Sequence, residues 1–86
     1  MSYANHGQYD LAAASKSVST LIGRSLASYK ILIEAPSTNS AAIYLGTSAN
    51  QYHLLEPKDS LEIDARTDEL YLKGASQKVN ISVFIK

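Results

Sequence analysis

The chain contains no cysteine and no tryptophan, and it has only two prolines and four glycines among 86 residues. Without cysteine, neither a disulfide nor a thiolate metal site can form. The chain also lacks an excess of charge, because eight basic residues balance eight acidic ones. A neutral chain is not attracted over long range to nucleic acid or to an anionic membrane. We therefore expect no nucleic-acid partner and no membrane partner.

Long apolar runs are missing as well. No stretch reaches the roughly 18 apolar residues that a transmembrane helix needs. The first ten residues, MSYANHGQYD, have neither the basic nor the apolar region of a signal peptide. These absences predict synthesis and residence in a cytoplasm.

The small size of the chain predicts a need for partners. A single domain of this length buries only about 60–65% of the surface that its unfolded form exposes, so its own core stabilises it weakly. Small domains usually add disulfides, a metal or partner subunits. Because disulfides are excluded and the two histidines, His6 and His53, make a poor metal set, contacts with partner subunits are the remaining source of stability.

What the chain does have is the alternation of β-strands, most clearly in residues 52–64, YHLLEPKDSLEID. Pro57 presets the backbone for the second position of a tight turn. After the turn, Leu61 and Ile63 alternate with Glu62 and Asp64, which predicts one buried and one solvated face. The segment is therefore expected to form two strands joined by a tight turn.

Short strands separated by polar turns recur along the rest of the chain. Their spacing of about 8–12 residues is typical of a sandwich or a barrel. We predict an all-β fold, a small jelly-roll-like β-sandwich of about seven or eight short antiparallel strands. The further predicted strands are residues 8–14, for which the alanines also suit a helix, and residues 18–22, 29–35, 42–45, 69–73 and 78–86. Residues 1–7 are small and polar and predict an N-terminal arm, so that the single domain spans residues 8–86.

Residues able to do chemistry are few and lack a recognisable pattern. Glu62 and Asp64 share a strand face near Asp59, but they lack the fixed order of a calcium loop, so a solvated strand face is favoured over a metal site. His6 and His53 are not accompanied by a nucleophile motif. The four glycines are too scattered to form a phosphate-binding loop. We predict that the protein is not an enzyme and has no catalytic residue, no cofactor and no metal.

Apolar residues on the outward strand faces are the more informative feature. If the alternating residues Ile33, Ile81 and Val83 form the core, other large apolar side chains must point outward. A contiguous outward group indicates an interface, whereas singly scattered apolar residues are normal on a monomer. The candidate interface combines these outward residues with two tyrosines of the N-terminal segment: Tyr3, Tyr9, Leu32, Tyr44, Tyr71 and Phe84.

Four segments together resemble a small β-sandwich module of tailed-bacteriophage structural proteins, such as capsid decoration proteins and head fibres. They are IEAPSTNSAAIYLG (33–46), YHLLEPKDSLEID (52–64), ELYLKG (69–74) and KVNISVFIK (78–86), and the resemblance covers residues 29–86. One departure is Lys58, which stands where the pattern has a corner glycine. A type II turn needs a positive φ there, so we expect a type I turn over residues 56–59.

The resemblance implies a structural function. The protein would be a capsid decoration (cement) protein that binds the outer capsid and stabilises it. Its partners would be the major capsid protein and copies of itself in a homo-oligomer, with a trimer favoured, and the arm of residues 1–7 would be one attachment. It would be made in the host cytoplasm and reside on the capsid surface of the virion. The alternatives are a receptor- or carbohydrate-binding module of a phage fibre or tail, using Tyr44, Tyr52 and Tyr71, and an accessory domain of an enzyme.

Overall fold

Eight strands and one short helix make up the described part of the chain, residues 2–26 and 30–85 of this computed structural model. The strands are β1 (Ser2–Asp10), β2 (Lys16–Ser17), β3 (Lys30–Glu34), β4 (Ile43–Gly46), β5 (His53–Leu55), β6 (Ser60–Ile63), β7 (Tyr71–Lys73) and β8 (Lys78–Ile85), and the helix is α1 (Val18–Ile22). Met1 of the predicted arm, Tyr29 of a predicted strand and Lys86 of the last predicted strand lie outside the described residues.

The strands form two four-stranded antiparallel sheets with the connectivity of a jelly roll. Sheet A has the order β1-β8-β3-β6, and sheet B has the order β2-β7-β4-β5. The first strand therefore pairs with the last, the second with the seventh, the third with the sixth and the fourth with the fifth. This is a long hairpin whose tip lies between β4 and β5, rolled up so that successive pairs fall in alternate sheets. The predicted fold class is confirmed.

The core lies between the inner faces of the two sheets and follows the period of two. On sheet A the inner residues Ile33 and Ile81 are fully buried, and on sheet B so is Leu72. Leu61 and Ile63 also face inward but are only half-buried, because β6 is an edge strand. The alternation therefore identifies the inward residues, while the position of a strand in its sheet sets how deeply they are buried.

The N-terminal segment differs from the predicted arm. Residues 2–10 form one strand, β1, which pairs with β8 along its length, with one irregularity between Tyr3 and Asn5. Tyr9 faces inward and its ring lies across Gly7, where a Cβ atom would approach the Tyr9 hydroxyl oxygen to 2.8 Å. The Asn5 side-chain amide donates to that oxygen at 2.8 Å. The Tyr9 ring thus fills the space that the small residues of β1 leave empty. Because most other residues of the segment are small or polar, the sequence does not show the apolar alternation of a strand.

Residues 18–22, predicted as a strand, form helix α1 instead. The Ser17 hydroxyl caps its N-terminus by accepting from the backbone N–H of Thr20 at 3.1 Å. Gly23, with φ 83°, ends the helix and donates its N–H to the Ser19 carbonyl at 2.9 Å. A serine cap followed by a left-handed glycine is the sequence signature of a short helix, and here it prevails over the alternation of Val18, Thr20 and Ile22.

The corner between β5 and β6 also differs from expectation. Lys58 has φ 80°, and the Asp59 N–H donates to the Glu56 carbonyl at 3.0 Å, so the turn has the positive φ of type II and the predicted type I turn is wrong. Ala35 explains why lysine tolerates this conformation. Its carbonyl accepts from the Lys58 N–H at 2.8 Å, and its N–H donates to the Asp59 carbonyl at 2.9 Å. These two bonds fix the corner to the end of β3.

Candidate interaction surfaces

The six residues of the predicted interface do not form one surface. Tyr3, Leu32 and Phe84 lie on the outer face of sheet A, in the rows set by the pairing of β1, β8 and β3. Tyr44 and Tyr71 lie on β4 and β7 of sheet B. The sixth residue, Tyr9, is half-buried and packs against the core. The structure therefore separates the predicted residues onto opposite faces of the sandwich.

An aromatic cluster occupies one end of the outer face of sheet A. The ring centroids of Tyr3 and Phe84 are 4.7 Å apart, and those of Tyr3 and His6 are 5.2 Å apart. His6 Nδ1 is hydrogen-bonded to the Ser82 hydroxyl at 2.8 Å. Ser82 is only 2% exposed, because it lies between His6 and Leu32 in the same cross-strand row. Leu32 and Phe84 of this face are therefore half-buried among neighbours in the same chain, whereas Tyr3 remains 63% exposed.

The rest of that face is polar and paired across strands. The Gln8 side-chain amide donates to the Asn80 side-chain oxygen at 2.9 Å. An ion pair joins Lys78 Nζ to the Asp10 carboxylate at 2.5 Å, and another joins Lys30 Nζ to the Glu62 carboxylate at 3.2 Å. Sheet A thus presents polar side chains to water, and many of them form a hydrogen bond or an ion pair with a side chain on the neighbouring strand.

The outer face of sheet B carries an apolar surface, which we call the sheet B patch and define as Tyr44, Tyr52, Leu54, Tyr71 and Lys73. Tyr44 lies in one cross-strand row with Leu54 on β5 and Lys73 on β7. The exposed fractions are 40% for Tyr44, 45% for Leu54 and 83% for Tyr52. Tyr52 directly precedes β5, and extending the alternation of that strand by one residue places it on the same face as Leu54. Among the described residues, three of the four large hydrophobic side chains that are highly exposed belong to this patch.

Two features adjoin the sheet B patch. Lys73 Nζ lies 5.9 Å from the Tyr44 ring centroid, and it is the single charge on strands β4, β5 and β7. Beside Tyr44 is a shallow depression of about 330 Å³ whose walls include Ala42, Gly74 and Ala75. Small side chains next to exposed aromatic rings allow a partner to approach the backbone closely.

A second apolar feature lies at the open side of the sandwich, between the edge strands β5 and β6. We call it the edge groove. Its volume is about 270 Å³, and Leu45, Leu61, Ile63, Ala65 and Leu70 line it together with His53 and Glu69. Leu61 and Ile63, which are only half-buried on the edge strand β6, leave part of their surface open to the groove.

Sequence reasoning missed Leu54 as an exposed residue of the sheet B patch and missed the edge groove. Leu54 follows His53 in a run of only three strand residues, and its outward direction depends on its pairing with Tyr44. Leu61 and Ile63 were expected to be core residues, since alternation does not show which strand lies at an edge. In both cases the missing information was the register between strands.

Metal-ligating side chains are dispersed among the described residues. Among them, no three His, Asp or Glu side chains are grouped so that they could hold a metal ion. Of the acidic residues considered above, Glu62 pairs with Lys30. In the same part of the chain, every buried polar side-chain atom has a hydrogen-bond partner, and no helix is long and apolar enough to cross a membrane.

Comparisons of the chain with protein-family models, with curated proteins and with solved structures gave no match.

Proposed function

We propose that this protein is a capsid decoration, or cement, protein of a tailed bacteriophage, which resides on the capsid surface of the virion. The observation that carries the proposal is the sheet B patch, an exposed apolar surface with Lys73 as its one charge. Large apolar patches on small soluble domains mark interaction sites. The motif run of residues 29–86 resembles phage virion proteins, and the jelly roll is a fold that capsid proteins use.

The mechanism requires only burial of surface. A decoration protein that lies across the joint between capsid subunits binds the assembled shell and not the separated subunits, so it stabilises the shell by mass action. Full burial of a large apolar side chain contributes about 1.5–3 kcal/mol, and exposed tyrosines that become buried are frequent hot spots of binding. Tyr44, Tyr52 and Leu54 are suited to this role, because each has surface left to bury.

Copies of the chain are also proposed to associate with each other, with a trimer favoured. A domain of 86 residues without a disulfide gains stability from partner contacts. On a shell of high symmetry, a symmetric oligomer can make the same contact with each surrounding subunit.

Co-sedimentation with capsids that lack the protein tests the proposal. Leu54→Asp places a charge beside Tyr44 in the exposed row of the patch, and we expect it to weaken capsid binding at least tenfold. Asn80→Asp is the matched control, because it adds the same charge on sheet A and keeps an oxygen for the Gln8 amide. Equal capsid binding by wild type and Leu54→Asp would contradict the assignment of this face, and no binding by wild type would contradict the function.

A second candidate function is recognition of a receptor or carbohydrate on a fibre or tail. It is favoured by the exposure of Tyr44 and Tyr52 on one face, since aromatic rings give flat apolar surfaces and lectins also use the jelly roll. Binding to a glycan array that is abolished by Tyr52→Ala, without binding to capsids, would support this candidate over decoration.

A further inference from the structure

The two sides of the sandwich are closed differently. On the side of β1 and β2, helix α1 contacts both edge strands, and Leu21 and Ile22 pack against the core. The Arg24 guanidinium also donates to the Ala4 carbonyl on this side. On the side of β5 and β6, no helix of the described chain covers the sandwich. The edge groove leaves part of the core open on this side.

The edge groove has the shape and the lining of a site for an apolar side chain. A dry apolar cavity of about 150 Å³ already accepts a benzene-sized group, and this groove measures about 270 Å³. Leu61 and Ile63 point toward it at alternate positions of β6. A strand running beside β6 would therefore present its own alternate side chains to the same space.

The backbone beside the groove is also available for pairing. Within the described chain β6 pairs with β3 alone and β5 pairs with β4 alone, so each leaves one edge without a strand partner. Free edges of this kind accept an added strand, in which main-chain hydrogen bonds supply affinity and pockets for alternate side chains supply specificity.

The charge around β6 indicates what kind of strand can pair with it. Residues 56–69 contain six acidic and two basic residues, for a formal charge of −4, and the remainder of the chain, with six basic and two acidic residues, carries +4. Glu56, Asp59 and Asp64 are exposed there, and in the described chain none of the three forms an ion pair. Acidic residues repel β6 of a second copy, and β1 of a second copy has no lysine or arginine to offer.

We propose that the edge groove binds an extended, basic segment of a partner protein. The segment pairs with the free edge of β6, inserts an apolar side chain between the sheets and places lysine or arginine near Asp64 and Asp59. Naming a shell protein as the partner rests on the proposed function. The preference of the groove for a basic, extended segment does not depend on that function.

Fluorescence anisotropy with labelled hexapeptides tests the inference on the full-length protein. An alternating Lys-Val peptide is expected to bind at least tenfold more tightly than an alternating Glu-Val peptide. Two further peptides separate the contributions: a Lys-Ser peptide lacks the apolar side chains, and a Lys-Val peptide N-methylated at every residue has no backbone N–H to donate from either edge. Both should bind at least tenfold more weakly than the parent. Equal binding of the Lys-Val and Glu-Val peptides, or no binding of either, would overturn the proposal.

Variants of the protein then locate the site. Asp64→Lys should weaken binding of the Lys-Val peptide and strengthen binding of the Glu-Val peptide, with an unchanged melting temperature because Asp64 is exposed. Leu54→Asp, on the sheet B patch, should leave peptide binding unchanged although it weakens capsid binding. Peptide binding without capsid binding would refute the decoration function and keep the groove, whereas capsid binding without peptide binding would refute the groove alone. Competition of the peptide with self-association would show that a second copy occupies the groove, which would also overturn the proposal.

Discussion

The outer faces of sheets A and B are built from similar short strands, but their cross-strand rows differ in chemistry. On sheet A one row holds the aromatic pair Tyr3 and Phe84, and others join polar or charged side chains, as in the bond between Gln8 and Asn80 and the ion pair between Asp10 and Lys78. On sheet B the central row joins Lys73, Tyr44 and Leu54. Cross-strand pairs of either kind stabilise a sheet by a few tenths to about 1 kcal/mol each. Pairing alone therefore does not explain why the faces differ.

The difference lies in whether an exposed ring has a neighbour to stack on. The Tyr3 ring of sheet A packs at a tilt of 37° against Phe84 of the same chain and is 63% exposed, whereas Tyr52, at the edge of sheet B, is 83% exposed. An aromatic ring that already packs against its own chain stabilises the fold, and further burial adds less. A ring without such packing keeps its surface for a partner. We therefore propose that the face of sheet A serves stability in water and that the face of sheet B serves association.

The largest expected effect tests whether the two sheets contribute equally to the stability of the core that lies between them. Ile81→Ala on sheet A and Leu72→Ala on sheet B each remove a fully buried side chain. Each should lower the free energy of unfolding by about 2–5 kcal/mol, measured by urea denaturation. Ile81→Val, with an expected loss of about 0.5–1.5 kcal/mol, keeps the comparison measurable if an alanine variant does not fold. A loss on one sheet only would show that the core is not shared between them.

The next largest effect compares how much an exposed tyrosine on each outer face contributes to the free energy of unfolding. Tyr3→Ala should lower the free energy of unfolding by about 0.5–1.5 kcal/mol, because it removes the stacking on Phe84. Its counterpart Tyr52→Ala should change this free energy by less than about 0.5 kcal/mol, as is usual for surface substitutions. Thermal and urea unfolding of both variants measure the difference. An equal loss in both would remove the distinction between a face for stability and a face for association.

Much of the fold could be predicted from local patterns. The alternation of Ile31, Ile33, Ile81 and Val83 predicted both the central strands of sheet A and their buried faces, because a period of two is a direct consequence of strand geometry. The long-range pairing of β1 with β8 could not be predicted in the same way. Its hydrogen bonds are made by backbone, and the small residues of β1 become a packed surface only when Tyr9 covers Gly7.

The candidate surfaces were predicted less well, for a related reason. Tyr44 and Tyr71 were correctly placed on an outward face, but Tyr3, Leu32 and Phe84 were grouped with them although they lie on the other sheet. Alternation says whether a side chain points in or out of its own sheet, not which sheet the strand joins. In a jelly roll most successive strands change sheets, so neighbours in the sequence are often on opposite faces of the molecule.

A smaller effect is expected at the corner that connects sheet B to sheet A. Lys58 holds φ 80°, a conformation that is costly for a residue with a Cβ atom and free of that cost for glycine. Lys58→Gly should raise the free energy of unfolding by about 0.5–1 kcal/mol, after allowance for the greater freedom of glycine in the unfolded chain. Lys58→Ala is the control and should give no such gain. A gain from alanine equal to that from glycine would point to the lysine charge, and not to φ, as the source of strain.

The smallest effect on stability is expected for a matched pair of lysine substitutions, one on each outer face. The two variants should unfold alike but differ in self-association. Lys78→Gln on sheet A removes an exposed ion pair with Asp10, and Lys73→Gln on sheet B removes a cation above the Tyr44 ring. Both interactions contribute at most about 1 kcal/mol at the surface, so the two variants should unfold within about 1 kcal/mol of wild type.

Their association should differ, because Lys73 is the one charge on strands β4, β5 and β7. A charge within an apolar patch opposes its contact with other apolar surfaces. Without it, the face of sheet B should self-associate at lower protein concentration, and sedimentation velocity over a concentration series will measure this as a rise in the mean sedimentation coefficient. Lys78→Gln should show no such rise, since the face of sheet A keeps the Lys30–Glu62 pair and its polar rows. A rise in both variants would mean that net charge controls association, and the contrast between the two faces would then not describe how this protein meets its partners.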